Sequence, residues 1–198
     1  MQNIIKRVKK KHGVEIGMEN LRYIVTSYKR PDLDGVACMY AYSEFINKVG
    51  AKANYCVFGE VQNEAKIVCE KFRIELKGVE KIEGNDKVII VDTNDPKIIS
   101  NEIRYENVTE IVDHHIPCEE MKKFTDANIQ IEYVGAAATL IAERYRNQKI
   151  AISRESAILL YYGIISNTVN LKAKVTTQRD IEMTKWLQEK CEEINIDK

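Results

Sequence analysis

The apolar run Ile111-Val112 ends in Asp113, His114 and His115, and these three side chains have the clearest chemical potential in the chain. A carboxylate beside two imidazoles offers oxygen and nitrogen donors to a divalent cation, and a group that can hold a proton near neutral pH. Neighbouring residues on a strand point to opposite faces, so His114 and His115 share a pocket only where the strand stops and the backbone turns. In isolation the triplet reads equally well as a strand cap with a solvated histidine pair. Two other apolar runs end in a similar way. Leu21 to Ser27 leads into Pro31-Asp32-Leu33-Asp34-Gly35, and Lys87 to Val91 stops at Asp92. Carboxylates gathered at one edge repel each other unless cations or protons relieve them, so this pattern argues for bound metal. Oxygen and imidazole ligands suit manganese, magnesium, iron or zinc, and the lack of paired thiolates disfavours a structural zinc site. A two-metal site needs one carboxylate to bridge the ions, and a lone aspartate at a central strand end, such as Asp92, could do so. In-line hydrolysis of a phosphate ester or anhydride by a water that the metal activates is the chemistry such a pair supports.

Alternating strands and helices are needed to bring those ends together. Leu21–Ser27 reads as a strand interrupted by Pro31, and Val36–Val49 as a helix with Gly50 just past its end. Ala53–Phe58 reads as a strand and Asn63–Phe72 as a helix. Lys87–Asp92 is an unbroken β-branched run, the mark of a strand covered on both faces. Val108–Asp113 and Ile129–Val134 continue the series, followed by helices over Gly135–Asn147, Ser153–Ser166 and Thr177–Glu193. The pattern predicts an α/β fold with a mostly parallel sheet, helices on both faces and Rossmann-like layering, in which ligands gather beyond the carboxyl ends of the strands.

The totals exclude several classes. Lysine plus arginine equals aspartate plus glutamate at 30 each, so no net field favours nucleic acid or an anionic membrane. The five cysteines are scattered and form no C-x-x-C, which reads as reduced thiols in a cytoplasmic protein. No apolar run reaches the length of a membrane span, and the N-terminus lacks a signal-peptide core. Residues 1–17, with Lys6, Arg7, Lys9, Lys10 and Lys11, read as a basic extension outside the core, with 18–198 as one catalytic domain. A nucleic-acid arm is the alternative for that extension. Tyr161, Tyr162 and Trp186 fall on helical patterns and read as packing residues. No G-x-G-x-x-G, P-loop or G-x-S-x-G occurs.

Taken together, Pro31-Asp32-Leu33-Asp34-Gly35, Val91-Asp92-Thr93, Asp113-His114-His115 and Gly163-Ile164-Ile165-Ser166-Asn167-Thr168 resemble, in order, the four motifs of the DHH phosphoesterase superfamily. Val134-Gly135-Ala136-Ala137-Ala138-Thr139 is similar to the family as well. The nearest flavour is that of the manganese-dependent inorganic pyrophosphatases. The resemblance implies one or two divalent ions, manganese first or magnesium in its place. Asp32 would bind one ion and Asp34 with His114 the other, while Asp92 bridges. Asp113 would orient a histidine and His115 would touch the substrate phosphate.

Two positions depart from that pattern. Where the pyrophosphatases carry a histidine before the first motif this chain has Tyr28, and where their fourth motif carries an aspartate it has Asn167. Both would weaken metal binding. The family's second domain, which supplies basic residues, is not seen before Lys198. Lys29, Arg30, Lys172, Lys174 and Arg179 are then the expected phosphate-binding cations, with a solvated basic loop as the alternative; a homodimer or partner chain could complete the cleft. The expectation is a divalent-metal-dependent phosphohydrolase for a small phosphoanhydride or phosphodiester, with nucleic acid entering only as a short oligonucleotide. A non-catalytic protein that binds metal or a phosphorylated ligand at a depleted site is the alternative.

Overall fold

Five strands form one sheet in which every neighbouring pair is parallel, in the order β2-β1-β3-β4-β5. The computed structural model describes residues 21–191. The expected basic extension and the last residues of the predicted final helix lie outside the described residues. The strands are β1 (Arg22–Thr26), β2 (Lys52–Tyr55), β3 (Lys87–Val91), β4 (Val108–Asp113) and β5 (Asn128–Ile131). The α-helices are α1 (Leu33–Lys48), α2 (Asn63–Phe72), α3 (Ala137–Gln148), α4 (Arg154–Asn167) and α5 (Gln178–Lys190). The α/β class and parallel sheet follow the sequence reading.

The β-branched run of β3 explains its place at the centre. Ile89 and Val91 enter one apolar core with Val25, Val112 and the buried sides of all five α-helices. Val88 and Ile90 enter the opposite core with Val108, Ile111, Ile99, Ile103 and Phe124. On that second face, among the described residues, the helical cover consists of short 3-10 turns at Tyr105–Asn107 and Glu119–Lys123. Tyr161 is buried in the helical core, and Tyr162 and Trp186 pack against it. Among the described residues no helix is long and apolar enough to cross a membrane.

Helix α1 starts three residues earlier than its hydrophobic periodicity suggests. Asp32 caps it, accepting from the Gly35 N–H at 3.0 Å, so Asp34 and Gly35 belong to the first helical turn and not to a preceding loop. At its other end Gly50 takes a left-handed φ of 93°, as expected of a glycine past a helix terminus. Strand β1 is flanked by β2 on one side and β3 on the other, so chain direction across the sheet reverses between β1 and β3. That switch point opens a crevice at the carboxyl ends, where the loop after β1 and residue Asp92 after β3 meet.

Candidate active site

Asp92 is the central group of the crevice. Its N–H still completes the sheet ladder to the Val112 carbonyl at 2.9 Å, but its φ of 58° turns the chain out of the strand. Left-handed backbone costs a non-glycine residue energy, least for Asn and Asp. The turn buries the carboxylate, which is 1% exposed, and its Oδ1 has no hydrogen-bond partner. Burial, reinforced by the charges of Asp34 and Asp32, pushes this carboxyl well above the usual carboxylate range. Gly35 permits the approach of α1. A Cβ at that position would lie 2.9 Å from Ser27 Oγ and 3.3 Å from Asp92 Oδ2.

Asp34 reaches the crevice from the first turn of α1. Its oxygens accept from the N–H groups of Ala137 and Ala138, each at 2.8 Å, so it serves as the anion at the N-terminus of α3. Asn167 Nδ2 donates to the same carboxylate at 2.8 Å. Burial raises the Asp34 pKa from 3.8 to about 6 although His114 opposes the shift.

The two histidines do share one side of the sheet edge, because β4 ends at Asp113; their ring centroids are 4.3 Å apart. His114 Nδ1 lies 3.1 Å from the Val134 carbonyl, which can only accept, so Nδ1 carries the proton and Nε2 keeps its lone pair. Nε2 stands 3.4 Å from Asp92 Oδ1 and 3.8 Å from Asp34 Oδ2. His115 is more open, and its Nδ1 contacts Asp113 Oδ1 at 2.8 Å. Asp113 also accepts from the N–H groups of His114 and His115, at 2.7 and 3.2 Å, and from Asn94 Nδ2 at 2.5 Å. Although burial works against it, the His115 contact and these donors hold Asp113 below its ordinary pKa, while Asp113 raises that of His115.

A family model described as the DHH family, N-terminal domain, matches residues 22–164, the span that carries the aspartates and both histidines. The chain belongs to the DHH family. This DHH chain is 30% identical over 168 residues to a probable manganese-dependent inorganic pyrophosphatase of Bacillus pumilus, covering 84% of the chain and 54% of the relative. It is 33% identical over 170 residues to the manganese-dependent inorganic pyrophosphatase of Methanothrix thermoacetophila, covering 85% and 54%. It spans about half the length of the curated relatives it matches. The crystal structure of a putative family II inorganic pyrophosphatase from Methanococcus jannaschii superposes with a TM-score of 0.73 at 26% identity, over 88% of this chain and 57% of that one. An exopolyphosphatase-related protein from Bacteroides fragilis shares the fold, with a TM-score of 0.66 at 16% identity, over 85% and 52%.

Within the DHH chain, Asp34, Asp92, His114 and Asn167 converge, and Asp92, His114 and His115 each present a ligand atom within 4.8 Å of the others. Tyr28 and Asp32 stand beside this group. The Tyr28 hydroxyl accepts from the Asp32 N–H at 3.1 Å, and burial, then the charges of Asp92 and Asp32, keep the phenol protonated. Lys29, Arg30, Lys172 and Lys174 are exposed. Arg179 differs from them, because its guanidinium is committed to Glu132 at 2.7 Å and to Glu143 at 2.8 and 2.5 Å. Its charge is spent on those carboxylates.

Sequence reasoning missed Asn94 and Asp180, and it marked Val134 to Thr139 by resemblance alone, without its contacts to Asp34 and His114. Asn94 follows a strand end closely enough to be a candidate, and Thr177 with Asp180 is a capping-box spacing. Nothing in the sequence marks a backbone carbonyl such as that of Val134 as a histidine partner. The Asp113–His115 pair supplies one prediction. The raised His115 contributes stability below about pH 6.5 that is lost as pH rises through its folded value; the lowered Asp113 contributes stability above its ordinary 3.8 that is lost as pH falls through its folded value. Asp113→Asn should therefore bring the His115 titration of metal-free protein down toward 6.5, followed by NMR. An unmoved titration would mean that Asp113 does not hold His115.

Proposed function

We propose that this DHH chain is a divalent-metal-dependent phosphohydrolase acting on a small phosphoanhydride or phosphodiester. The observation that carries the reading is the buried Oδ1 of Asp92, which has no hydrogen-bond partner and faces the lone pair of His114 Nε2. Among the described residues the ion-pair partners of Asp34 and Asp92 are histidines, and no lysine or arginine pairs with either. Two buried carboxylates without a fixed cation, next to an imidazole poised to donate its lone pair, fit a metal ion. Asp34, Asp92 and His114 would hold it, with Asp32 beside Tyr28 offering a second, weaker position that Asp92 could bridge. The names of the relatives support manganese. A divalent ion bound there neutralises phosphate charge and lowers the pKa of a water.

The chain's own groups do the rest. His115, held by Asp113, keeps its proton to higher pH than a solvated histidine and would donate it to a leaving oxygen. Asn94 locks Asp113 and, through its Oδ1, accepts from the Cys118 N–H at 2.8 Å, steadying the segment after His115. Lys29, Arg30, Lys172 and Lys174 are the cations proposed to meet substrate phosphate, with a second copy of the chain or a partner chain completing the cleft. Five cysteines without disulfides support a cytoplasmic setting.

A second reading, metal or phosphate-ligand binding without turnover, is favoured by one pair of contacts: Tyr28 is occupied with the Asp32 N–H, and Asn167 gives Asp34 an amide instead of a carboxylate neighbour. Both readings are separated by measuring bound metal in protein purified without chelators and manganese-dependent phosphate release from a small panel of phosphoanhydrides and phosphodiesters. Turnover that disappears in Asp92→Asn is expected. Turnover unchanged in that variant would overturn the assignment, and full metal occupancy with no turnover would favour the binding protein.

A further inference from the structure

We infer that Asp180 is a positioning residue for the candidate metal centre, holding the loop from which both Asp34 and His114 take their orientation. The inference rests on the metal-site reading above. The loop that enters α3 and the first turn of that helix touch the centre at both ends of residues 134–138: the Val134 carbonyl accepts from His114 Nδ1 at 3.1 Å, and the Ala137 and Ala138 N–H groups donate to Asp34 at 2.8 Å each. Between them, the Gly135 N–H donates to both carboxylate oxygens of Asp180, at 3.0 and 2.9 Å. One residue beyond Ala138, the Thr139 hydroxyl donates to Asp180 Oδ1 at 2.5 Å.

Asp180 is fully buried and belongs to the first turn of α5, outside the segment 22–164 that the family model matches. Its remaining donors are the N–H and hydroxyl of Thr177, both at 2.7 Å. The loop is seated tightly on this support. A Cβ on Gly135 would lie 2.4 Å from Thr168 Cγ2 and 3.0 Å from Asp180 Oδ2, so the loop also abuts the residue that follows Asn167. An ionised carboxylate accepts from all of these groups at once. An amide in its place offers one acceptor oxygen and turns an NH2 toward an N–H donor, so the loop must move. Partners that orient metal ligands in this way typically change metal affinity by about 10- to 100-fold when removed.

The test uses the full chain with Asp180→Asn, Thr139→Val and, as a control for lost stability, Ser153→Ala. Ser153 caps the N-terminus of α4, the end opposite Asn167, and removing that cap costs about 1 kcal/mol. Two quantities are read above the titration range of histidine: the manganese dissociation constant, by titrating metal-free protein, and the ring 15N shifts of His114, which report the nitrogen that carries the proton. Wild type and Ser153→Ala should bind manganese alike and keep the proton on Nδ1. Asp180→Asn and Thr139→Val, at temperatures where both are folded, should bind about 10- to 100-fold more weakly and show shifts averaged between tautomers. If Asp180→Asn does not fold, Thr139→Val decides the matter, because it removes one donor and leaves the carboxylate in place. Wild-type affinity together with a fixed tautomer in the folded variants would overturn the role of Asp180. Should wild type bind no manganese, the metal reading fails, and the tautomer shifts still decide whether Asp180 orients His114.

Discussion

Asp92→Asn should abolish metal-dependent turnover and, in the metal-free protein at neutral pH, raise the melting temperature. The two effects share one cause. Asp92 carries a buried carboxylate whose Oδ1 has no hydrogen-bond partner and whose pKa is pushed up by burial and by Asp34 and Asp32. A carboxyl with a raised folded pKa binds its proton more tightly in the folded state. Metal-free protein therefore loses stability as pH rises from about 4 through that raised value. Asparagine does not titrate, tolerates the left-handed φ of 58°, and can turn its NH2 toward the His114 Nε2 lone pair that now faces Oδ1 at 3.4 Å. Removing an uncompensated buried charge is worth on the order of 2 kcal/mol, or about 4–8 °C for a domain of this size. Thermal unfolding of both proteins after chelation, across the acid-to-neutral range, checks this. A lower melting temperature for the variant at pH 7 would show that Asp92 is not an uncompensated charge.

Asn167→Asp should act in the opposite sense. Its Nδ2 now donates to Asp34 Oδ2 at 2.8 Å and lies 3.4 Å from His114 Nε2, so the side chain faces the same space as the candidate ligands. A carboxylate there exchanges a hydrogen-bond donor for a like charge beside Asp34, and metal-free protein should melt at a lower temperature. The same charge should tighten manganese binding by about tenfold or more. With an effective dielectric of about 20, one added charge on a divalent ion is worth several kcal/mol before its repulsion from Asp34 is subtracted. Titration of metal-free wild type and variant gives the comparison. Equal affinities would place the residue 167 side chain outside the ligand set.

Much of the framework was legible because local patterns and the final structure agree. The β-branched run of Lys87–Val91 belongs at the centre of the sheet, and crossover connections, helical from β1 to β3 and built on 3-10 turns from β3 to β5, pair the strands in parallel, which sends Asp92 and Asp113 to one edge. Helix α2 and strand β4 keep the bounds read from periodicity. The start of α1 was misplaced because Asp32 caps a turn made of Leu33, Asp34 and Gly35, whose types carry no helical periodicity. The expectation for Arg179 as a phosphate cation did not account for Glu132 and Glu143, which are distant in sequence and adjacent in space.

From the sequence alone came the acidic strand ends, the histidine pair and the α/β order that collects them, because strand periodicity and parallel connectivity are local properties of the chain. Tertiary structure alone decided which atoms of those residues remain available. Asp34 is bonded to backbone N–H groups 103 and 104 residues away, His114 is fixed by the carbonyl of Val134, and Asp180 holds the loop between those contacts. Backbone donors and acceptors are the same at every residue type, so only the folded arrangement of the chain determines which of them a side chain meets.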